Sequence, residues 1–346
     1  MKKAITIIGL CCMMSMAGAC GDKVDSGAYD AGLKALEQKN YVEALAQFQV
    51  AAKEDGREVE AYRCEGITYL EMEDYEHAVI LLDKSLEELD YKDEAFEKDV
   101  NYYLAAAYQG GGQTDKAVEI YGRLIEQYED AEAYFLRGKL YLEQQEEQKA
   151  ASDFQKSLEK DSGYENYLNV YLVYAGKNRG ADGAAYLEQA VEKTPENVTE
   201  QYQQGRIFYY LEEYDRAKEV LNKAVNEGHQ DAVFLLGKIY LETNDAANAR
   251  ALYQNYLQKN KNSAKAYNGL ALCDIAEENY QSALLNIQSG LECNDEEEQE
   301  NLLFNEIVVY EKQLDFNTAK QKMSEFLSKY PDHEDAIREN NFLQSR

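Results

Sequence analysis

A repeat with a period near 34 residues runs along most of the chain, and it limits the possible folds more than any other feature. One small residue recurs with successive spacings of 34, 39, 33, 33, 34, 32, 34 and 36 residues. Its nine occurrences are Ala44, Ala78, Ala117, Ala150, Gly183, Ala217, Ala249, Ala283 and Ala319. A unit of this length buries its apolar face only by stacking on its neighbours, so the sequence predicts an array of stacked units.

Each repeat also carries a second small position and a set of large apolar positions. Twelve residues before the first set stand Gly32, Gly66, Ala105, Gly138, Tyr171, Gly205, Gly237, Ala271 and Ile307, of which seven are Gly or Ala. Two antiparallel helices approach closely only where neither carries a bulky side chain, so the two small positions predict a helical hairpin. Four residues after the Ala44 series the chain carries large residues, which we expect in the core: Phe48, Leu82, Tyr121, Phe154, Leu187, Leu221, Tyr253, Ile287 and Met323.

This pattern resembles the tetratricopeptide repeat family over nearly all of residues 25–331. Both prolines, Pro195 and Pro331, fall at the register position where that family places a helix-ending proline. The resemblance implies an all-α superhelix, or solenoid, of about nine tetratricopeptide-like helical hairpins across residues 27–331. Residues 332–346 are expected to form a C-terminal capping helix that turns Ala336, Ile337 and Phe342 inward. Repeat five departs from the pattern, because Tyr171 stands at its usually small position.

The first nineteen residues are typical of a segment that directs export of the protein, not of a part of its fold. Lys2 and Lys3 precede an uncharged, apolar run from Ala4 to Ala19, and Cys20 follows at once. This arrangement resembles a bacterial lipobox, which implies that residues 1–19 are a signal peptide and that Cys20 is lipidated. Residues 20–26 would then tether the protein to the extracytoplasmic side of a membrane of the cell envelope. Ordinary secretion, with cleavage after the Ala-Gly-Ala segment, is the alternative.

The charge balance and the motifs exclude several classes of function. The chain has 36 basic and 65 acidic residues, a net charge of −29 that repels nucleic-acid phosphates. The three histidines lie far apart, no HExxH or GxSxG motif occurs, and the cysteines show no CxxC spacing. The absence of these motifs predicts no enzymatic activity, no metal site and no cofactor. The acidic charge predicts a protein partner with basic or extended segments.

The candidate site lies on the first helices of the hairpins, which line the concave groove in the family that the chain resembles. Three repeats there carry an aromatic residue followed by a basic residue at i+4, which places both on one helix face. We expect the groove to present these three pairs, two further tyrosines and one separate base: Phe135 with Lys139, Tyr202 with Arg206, Phe234 with Lys238, Tyr209, Tyr210 and Arg63. The alternative is that the lysines form ordinary intrahelical pairs, Lys139 with Glu143 and Lys238 with Glu242.

These observations predict a membrane-anchored scaffold for protein–protein interactions in the bacterial cell envelope, which binds an extended partner in its groove. A glycan-binding surface lipoprotein, whose inward rings stack on sugars, is the alternative. The chain has 29 tyrosines but no tryptophan, which disfavours the glycan alternative.

Overall fold

The computed structural model describes residues 27–53, 57–90 and 93–345, and these form nineteen α-helices with no strand among them. The signal peptide, Cys20 and the tether predicted from the sequence lie outside the described residues. The helices are Gly27–Glu37 (α1), Tyr41–Ala51 (α2), Glu58–Glu71 (α3), Tyr75–Glu87 (α4), Glu94–Gly110 (α5), Thr114–Tyr128 (α6), Ala131–Glu143 (α7), Glu147–Lys160 (α8), Tyr164–Ala175 (α9), Gly180–Val191 (α10), Val198–Tyr210 (α11), Tyr214–Asn226 (α12), Gln230–Glu242 (α13), Ala246–Lys259 (α14), Ala264–Ala276 (α15), Tyr280–Leu291 (α16), Glu296–Lys312 (α17), Phe316–Lys329 (α18) and Glu334–Gln344 (α19).

Helices α1 to α18 form nine consecutive hairpins that share one turn geometry. Two residues before each second helix, the backbone has a positive φ: Lys39, Glu73, Gly112, Gln145, Asn178, Glu212, Asn244, Glu278 and Leu314. The N–H of the following residue donates a hydrogen bond to the carbonyl five residues earlier, in the first helix. In the first hairpin the Asn40 N–H donates to the Ala35 carbonyl at 2.8 Å. This left-handed C-terminal turn satisfies free carbonyls of the first helix and reverses the chain within a few residues. Every hairpin of the described chain therefore turns back at the same register.

The predicted small and large positions meet in the core of each hairpin. The eight alanines of the Ala44 series have no exposed surface, and all nine large residues that follow them by four positions are buried. The close approach is visible at Gly205, where an added Cβ would lie 2.6 Å from Cγ of Leu221, and at Gly138, where it would lie 3.0 Å from the ring of Phe154. The glycines of the first helices thus make room for the large side chains of the second helices.

Repeat five departs from the pattern only in its first helix. Tyr171 of α9 is half-buried, and the residue that faces it from α10 is Gly183. A Cβ at Gly183 would lie 3.1 Å from Cδ2 of Tyr171 and 3.0 Å from Cβ of Tyr174. A glycine replaces the usual alanine of the second helix, so this repeat keeps the close approach although its first helix carries Tyr171.

The contacts divide the chain into two compact units, Met1–Asn166 (unit 1) and Tyr167–Arg346 (unit 2), with the division inside α9. In unit 1 the cores lie between neighbouring hairpins, around Phe48 and around Val100. In unit 2 separate clusters follow one another along the stack, each shared by adjacent helices. Burial between successive hairpins is what holds each stack together.

The last helix, α19, packs against α18 and covers the end of unit 2, as the sequence predicts. The residues that it buries differ from the prediction. Ala336 and Leu343 have no exposed surface, whereas Ile337 and Phe342 are exposed. Positions 336 and 343 are seven residues apart, two helical turns, and so share one face, while positions 337 and 342 lie on its flanks. The expectation for Ile337 and Phe342 was therefore wrong, and Ala336 was correctly placed.

The contact between α17 and the capping helix predicts a pH dependence of stability. Burial, and then repulsion from Glu339, raises the pKa of the half-buried Glu311 from 4.5 to about 7. The folded protein therefore holds this proton more tightly than the unfolded chain. Its contribution to stability is complete below about pH 4.5 and is lost as the pH rises through about 7.

We expect the urea midpoint of the wild type to fall between pH 5.5 and pH 8, and Glu311→Gln to reduce that fall. Urea titrations followed by circular dichroism at the two pH values measure this difference. Glu325→Gln, at an exposed position of α18, is the control and should keep the wild-type pH dependence. An unchanged fall in Glu311→Gln would show that Glu311 is not the titrating group.

Candidate functional site

In unit 2 the first helices α11 and α13 bring several predicted site residues into contact. The Tyr209 hydroxyl donates a hydrogen bond to Oε1 of Glu242 at 3.0 Å. Lys238 Nζ lies 5.0 Å from the centre of the Tyr209 ring and 3.9 Å from Glu242 Oε1. Tyr209 therefore links α11 to α13, and the side chain of Lys238 remains 58% exposed beside it.

Further rings extend this contact on both sides of Tyr209. The Tyr210 ring lies 5.5 Å from that of Tyr209 and 5.0 Å from that of Tyr171 on α9. The Tyr214 ring, at the start of α12, lies 6.1 Å from Tyr209. We call these four tyrosines together with Lys238 the tyrosine cluster. All four rings are half-buried, which leaves part of each at the surface.

The surroundings fix the charge state of the cluster near neutral pH. Burial raises the pKa of Tyr209 and of Tyr171, so both phenols stay protonated and can donate hydrogen bonds. The Tyr209 hydroxyl raises the pKa of Lys238, which therefore stays positively charged. Glu212 and Glu242 lie next to the tyrosine cluster. Burial is the main cause of the raised pKa of Tyr214, and repulsion from these two carboxylates adds to it. The cluster thus combines polar rings with one cation and two nearby carboxylates.

The predicted pair Tyr202 and Arg206 also lies on α11, outside the tyrosine cluster. The Tyr202 ring stacks on that of His229 at 4.4 Å, with 24° between the planes. Arg206 Nη1 donates to Oε1 of Gln203 at 2.6 Å, and the guanidinium carbon lies 5.9 Å from the Tyr202 ring. The aromatic residue and the base therefore share one helix face, as their spacing of four residues predicts.

Phe234 and Lys238 share α13 but face different neighbours. The Phe234 ring packs edge-on against Tyr256 of α14 at 5.1 Å. The cation over this ring is Lys265 of α15, whose Nζ lies 4.6 Å from the ring centre. Lys238 is instead next to Tyr209 of the preceding hairpin. Each base thus lies over a ring of the hairpin before its own, an arrangement that spacing within one helix does not reveal.

In unit 1 the structure contradicts the prediction for Phe135 and changes the interpretation of Arg63. Phe135 is only 2% exposed and packs against Phe154 at 6.0 Å between ring centres. It belongs to the core of its hairpin, so it cannot present its ring to a partner. The side chain of Arg63 is 14% exposed and is paired with Asp99 on α5. This base holds two hairpins together rather than facing solvent.

Lys139 of α7 is half-buried and acts on a neighbouring carboxyl group. Burial, and then repulsion from Asp161, raises the pKa of Glu132, and the Lys139 ammonium partly opposes that rise. The intrahelical alternative pairs Lys139 with Glu143. Glu143 accepts a hydrogen bond from Gln109 of the preceding hairpin at 3.4 Å. In unit 2 the other alternative pair, Lys238 with Glu242, is present at 3.9 Å.

Sequence reasoning missed Tyr171, Tyr214 and Glu242 as members of this surface. Tyr171 stands at the usually small position of its repeat and Tyr214 at the start of a second helix, where the repeat pattern gives no sign of a binding surface. Glu242 stands four residues after Lys238, which the sequence reads as a pair within one helix. Its bond to Tyr209 spans 33 residues, and no local spacing predicts that contact.

Two features that would indicate other functions are absent from the described residues. They hold no group of three or more His, Cys, Asp or Glu side chains arranged to bind a metal ion. Among the helices of the described chain, none is both long and apolar enough to cross a bilayer.

Comparison with known proteins shows where the repeat is recognised. A family model of the tetratricopeptide repeat matches residues 102–165, 202–264 and 234–288. The first segment lies in unit 1 and the other two lie in unit 2, where they include Tyr209, Tyr210 and Lys238. No curated protein matches the chain.

Several solved structures are similar to the chain at low identity. A tetratricopeptide repeat protein from Parabacteroides merdae is 15% identical, with 82% of this chain and 97% of that chain covered and a TM-score of 0.43. YrrB, described as a tetratricopeptide repeat protein with an unusual peptide-binding site, is 20% identical, with 65% and 99% covered and a TM-score of 0.35. Yeast Tom70 is 13% identical, with 92% and 94% covered and a TM-score of 0.41. The family model thus recognises the repeat in two parts of the chain, residues 102–165 and 202–288.

Proposed function

We propose that the protein is a membrane-anchored scaffold of the bacterial cell envelope that binds a basic, extended segment of a partner protein at the tyrosine cluster. The observation that carries the proposal is the contact of four half-buried tyrosines from two consecutive hairpins with one another and with Lys238 of the next hairpin. The repeat family supports a role in protein–protein interaction, and the cluster supplies a surface for it.

Tyrosine is suited to such a surface because its ring buries apolar area while its hydroxyl forms hydrogen bonds. Residues of this kind contribute much of the binding free energy in protein interfaces. In the cluster the rings are already fixed by contacts with one another and by the bond from Tyr209 to Glu242. Binding would therefore cost little additional side-chain entropy.

The charges around the cluster favour a basic partner. Glu212 and Glu242 stand beside the rings, and the chain as a whole carries a net charge of −29. A lysine or arginine of the partner could lie over a tyrosine ring and pair with one of these carboxylates. The acidic surface would also speed the encounter with a basic segment at low ionic strength.

The glycan alternative gains no support from the arrangement of the rings. Neighbouring rings are tilted by 61° between Tyr209 and Tyr210, 42° between Tyr171 and Tyr210, and 49° between Tyr209 and Tyr214. They therefore form an angled surface rather than a flat platform for stacking a run of sugar rings.

Binding is tested by affinity capture from detergent-solubilised envelope, with wild type, Tyr210→Ala and Tyr41→Ala as baits. Tyr41 is a half-buried tyrosine of unit 1 outside the cluster, and it serves as the control. We expect Tyr210→Ala to lower the affinity for the captured protein by about tenfold or more, because a hot-spot ring contributes roughly 2 kcal/mol. Tyr41→Ala should bind as the wild type does. Equal affinities for Tyr210→Ala and wild type would place the binding surface elsewhere.

The anchor is tested separately, because it rests on the sequence around Cys20, which lies outside the described residues. We expect Cys20→Ala to move the protein from the membrane pellet to the soluble or secreted fraction, since the acylated thiol would be the only attachment proposed here. Cys12→Ala, within the predicted signal peptide, is the matched control and should remain in the pellet. A membrane-bound Cys20→Ala protein would refute lipidation at this residue.

A further inference from the structure

An open cavity of unit 2, of about 770 Å³, lies away from the tyrosine cluster, among α12, the start of α13 and the C-terminal half of α14. Seven of its fifteen lining residues carry carboxamides, including Asn222 and Asn226 on α12 and Asn255 and Gln258 on α14. The volume is in the range of ordinary ligand-binding clefts. We call it the amide-lined cleft.

The charge of the cleft differs from that of the rest of the chain. Charged residues make up 29% of the sequence, yet Lys259 is the only one among the fifteen that line the cleft, and none is acidic. A carboxamide both donates and accepts hydrogen bonds. The cleft therefore suits a neutral ligand whose own groups alternate between donor and acceptor, rather than an ion.

Several of these carboxamides are available to a ligand. In the part of the chain that the structure describes, the side chains of Asn226, Asn255 and Gln258 form no hydrogen bond, and all three are exposed. Asn222 uses its amide nitrogen to donate to the Lys218 carbonyl at 2.8 Å. This bond leaves the side-chain oxygen of Asn222 as an acceptor.

The spacing of the carboxamides fits an extended peptide. Asn222 and Asn226 are four residues apart, which separates them by about 6 Å along the axis of α12. An extended chain presents backbone groups toward the same side at every second residue, about 6.6 Å apart. We propose that the amide-lined cleft binds an extended, uncharged peptide segment of a partner protein by hydrogen bonds to its backbone. This second binding surface is independent of the tyrosine cluster.

The rings of the cleft favour a peptide over a sugar. The Tyr256 ring is packed edge-on against Phe234 at 5.1 Å, the His229 ring is stacked on Tyr202 at 4.4 Å, and Lys218 lies 5.8 Å from the centre of the Tyr240 ring. Each ring already has a partner within the protein. Sugar binding depends on stacking against ring faces, whereas binding a peptide backbone requires only the amide groups.

The test is isothermal titration calorimetry of the full-length protein in detergent with an acetylated, amidated hexapeptide of alternating Thr and Ala. A second peptide carries N-methyl groups on alternate backbone nitrogens, which removes their hydrogen-bond donors. We expect the first peptide to bind and the N-methylated peptide to bind at least tenfold more weakly. Asn226→Ala, Asn255→Ala and Gln258→Ala should each weaken binding about fivefold, the effect of losing one hydrogen bond.

Gln254→Ala is the matched control, because Gln254 is exposed on the same helix as Gln258 but does not line the cleft. It should leave the affinity unchanged, as should Tyr210→Ala in the tyrosine cluster. Failure to bind the peptide at millimolar concentration would overturn the proposal, as would equal binding of the N-methylated peptide. Binding of maltohexaose that requires Asn226 and Asn255, without peptide binding, would overturn it in favour of a sugar site.

Discussion

Replacing Tyr253 with Ala is expected to lower the free energy of unfolding by about 3–5 kcal/mol, the usual cost of removing a buried aromatic ring. Tyr253 is 4% exposed and lies between two glycines of neighbouring first helices. A Cβ at Gly237 of α13 would lie 2.8 Å from its Cε1, and a Cβ at Gly269 of α15 would lie 2.5 Å from its Cε2. The ring therefore fills the space that these two glycines leave open.

Urea unfolding followed by circular dichroism measures this loss. Tyr253→Phe is the control, because it keeps the ring and removes only the hydroxyl, and it should retain most of the stability. Because hairpins of a repeat array contact only their neighbours, the Ala variant should first lose the part of unit 2 around α13 to α15. A loss below about 1 kcal/mol for Tyr253→Ala would mean that the ring is not packed as the structure shows.

The second large effect is expected from overpacking a hairpin. Ala150 of α8 has no exposed surface, and its carbonyl oxygen would lie 3.3 Å from a Cβ added at Gly138 of α7. Ala150→Leu adds three carbon atoms where the two helices approach most closely, so we expect a loss of about 1–3 kcal/mol. The additional side chain can be accommodated only by separating α7 from α8.

The chain supplies a matched control at the next residue. Ala151 is an alanine of the same helix and is exposed, so Ala151→Leu should change the free energy of unfolding by no more than about 0.5 kcal/mol. The same urea titrations compare the two variants. Similar losses at both positions would show that the register of α8 differs from the one described.

The fold could be predicted from the sequence because one pattern is repeated nine times. Small residues at two positions, with a large residue four places after the second, fixed the register of each hairpin even where a copy departs from the pattern. The turns within the hairpins were missed, and two of the residues that the capping helix was expected to bury, Ile337 and Phe342, are exposed. Eight of the nine positive-φ residues before the second helices are not glycine, among them Leu314 and Gln145, so no glycine signal marks them.

The site was less predictable because burial depends on the neighbouring hairpin. Phe135 and Tyr202 stand at the same register position, three residues before the small glycine, yet Phe135 is buried and Tyr202 is half-buried. Arg63 pairs with Asp99, 36 residues away, and this partner removes it from the surface. Helical periodicity identifies the face on which a residue lies, but the depth of that face depends on side chains from other repeats.

Site-specific photo-crosslinking tests the proposed interaction most directly. A photoreactive phenylalanine analogue would replace Tyr210, in the tyrosine cluster, or Glu325, an exposed residue on the second helix α18 that lies outside the tyrosine cluster and the amide-lined cleft. Irradiation of cells that make each variant captures whatever protein lies within reach of that side chain. We predict a crosslinked protein adduct from position 210 that is absent from position 325. Adducts of equal yield at both positions, or an adduct from position 325 alone, would contradict a partner-binding surface at the tyrosine cluster.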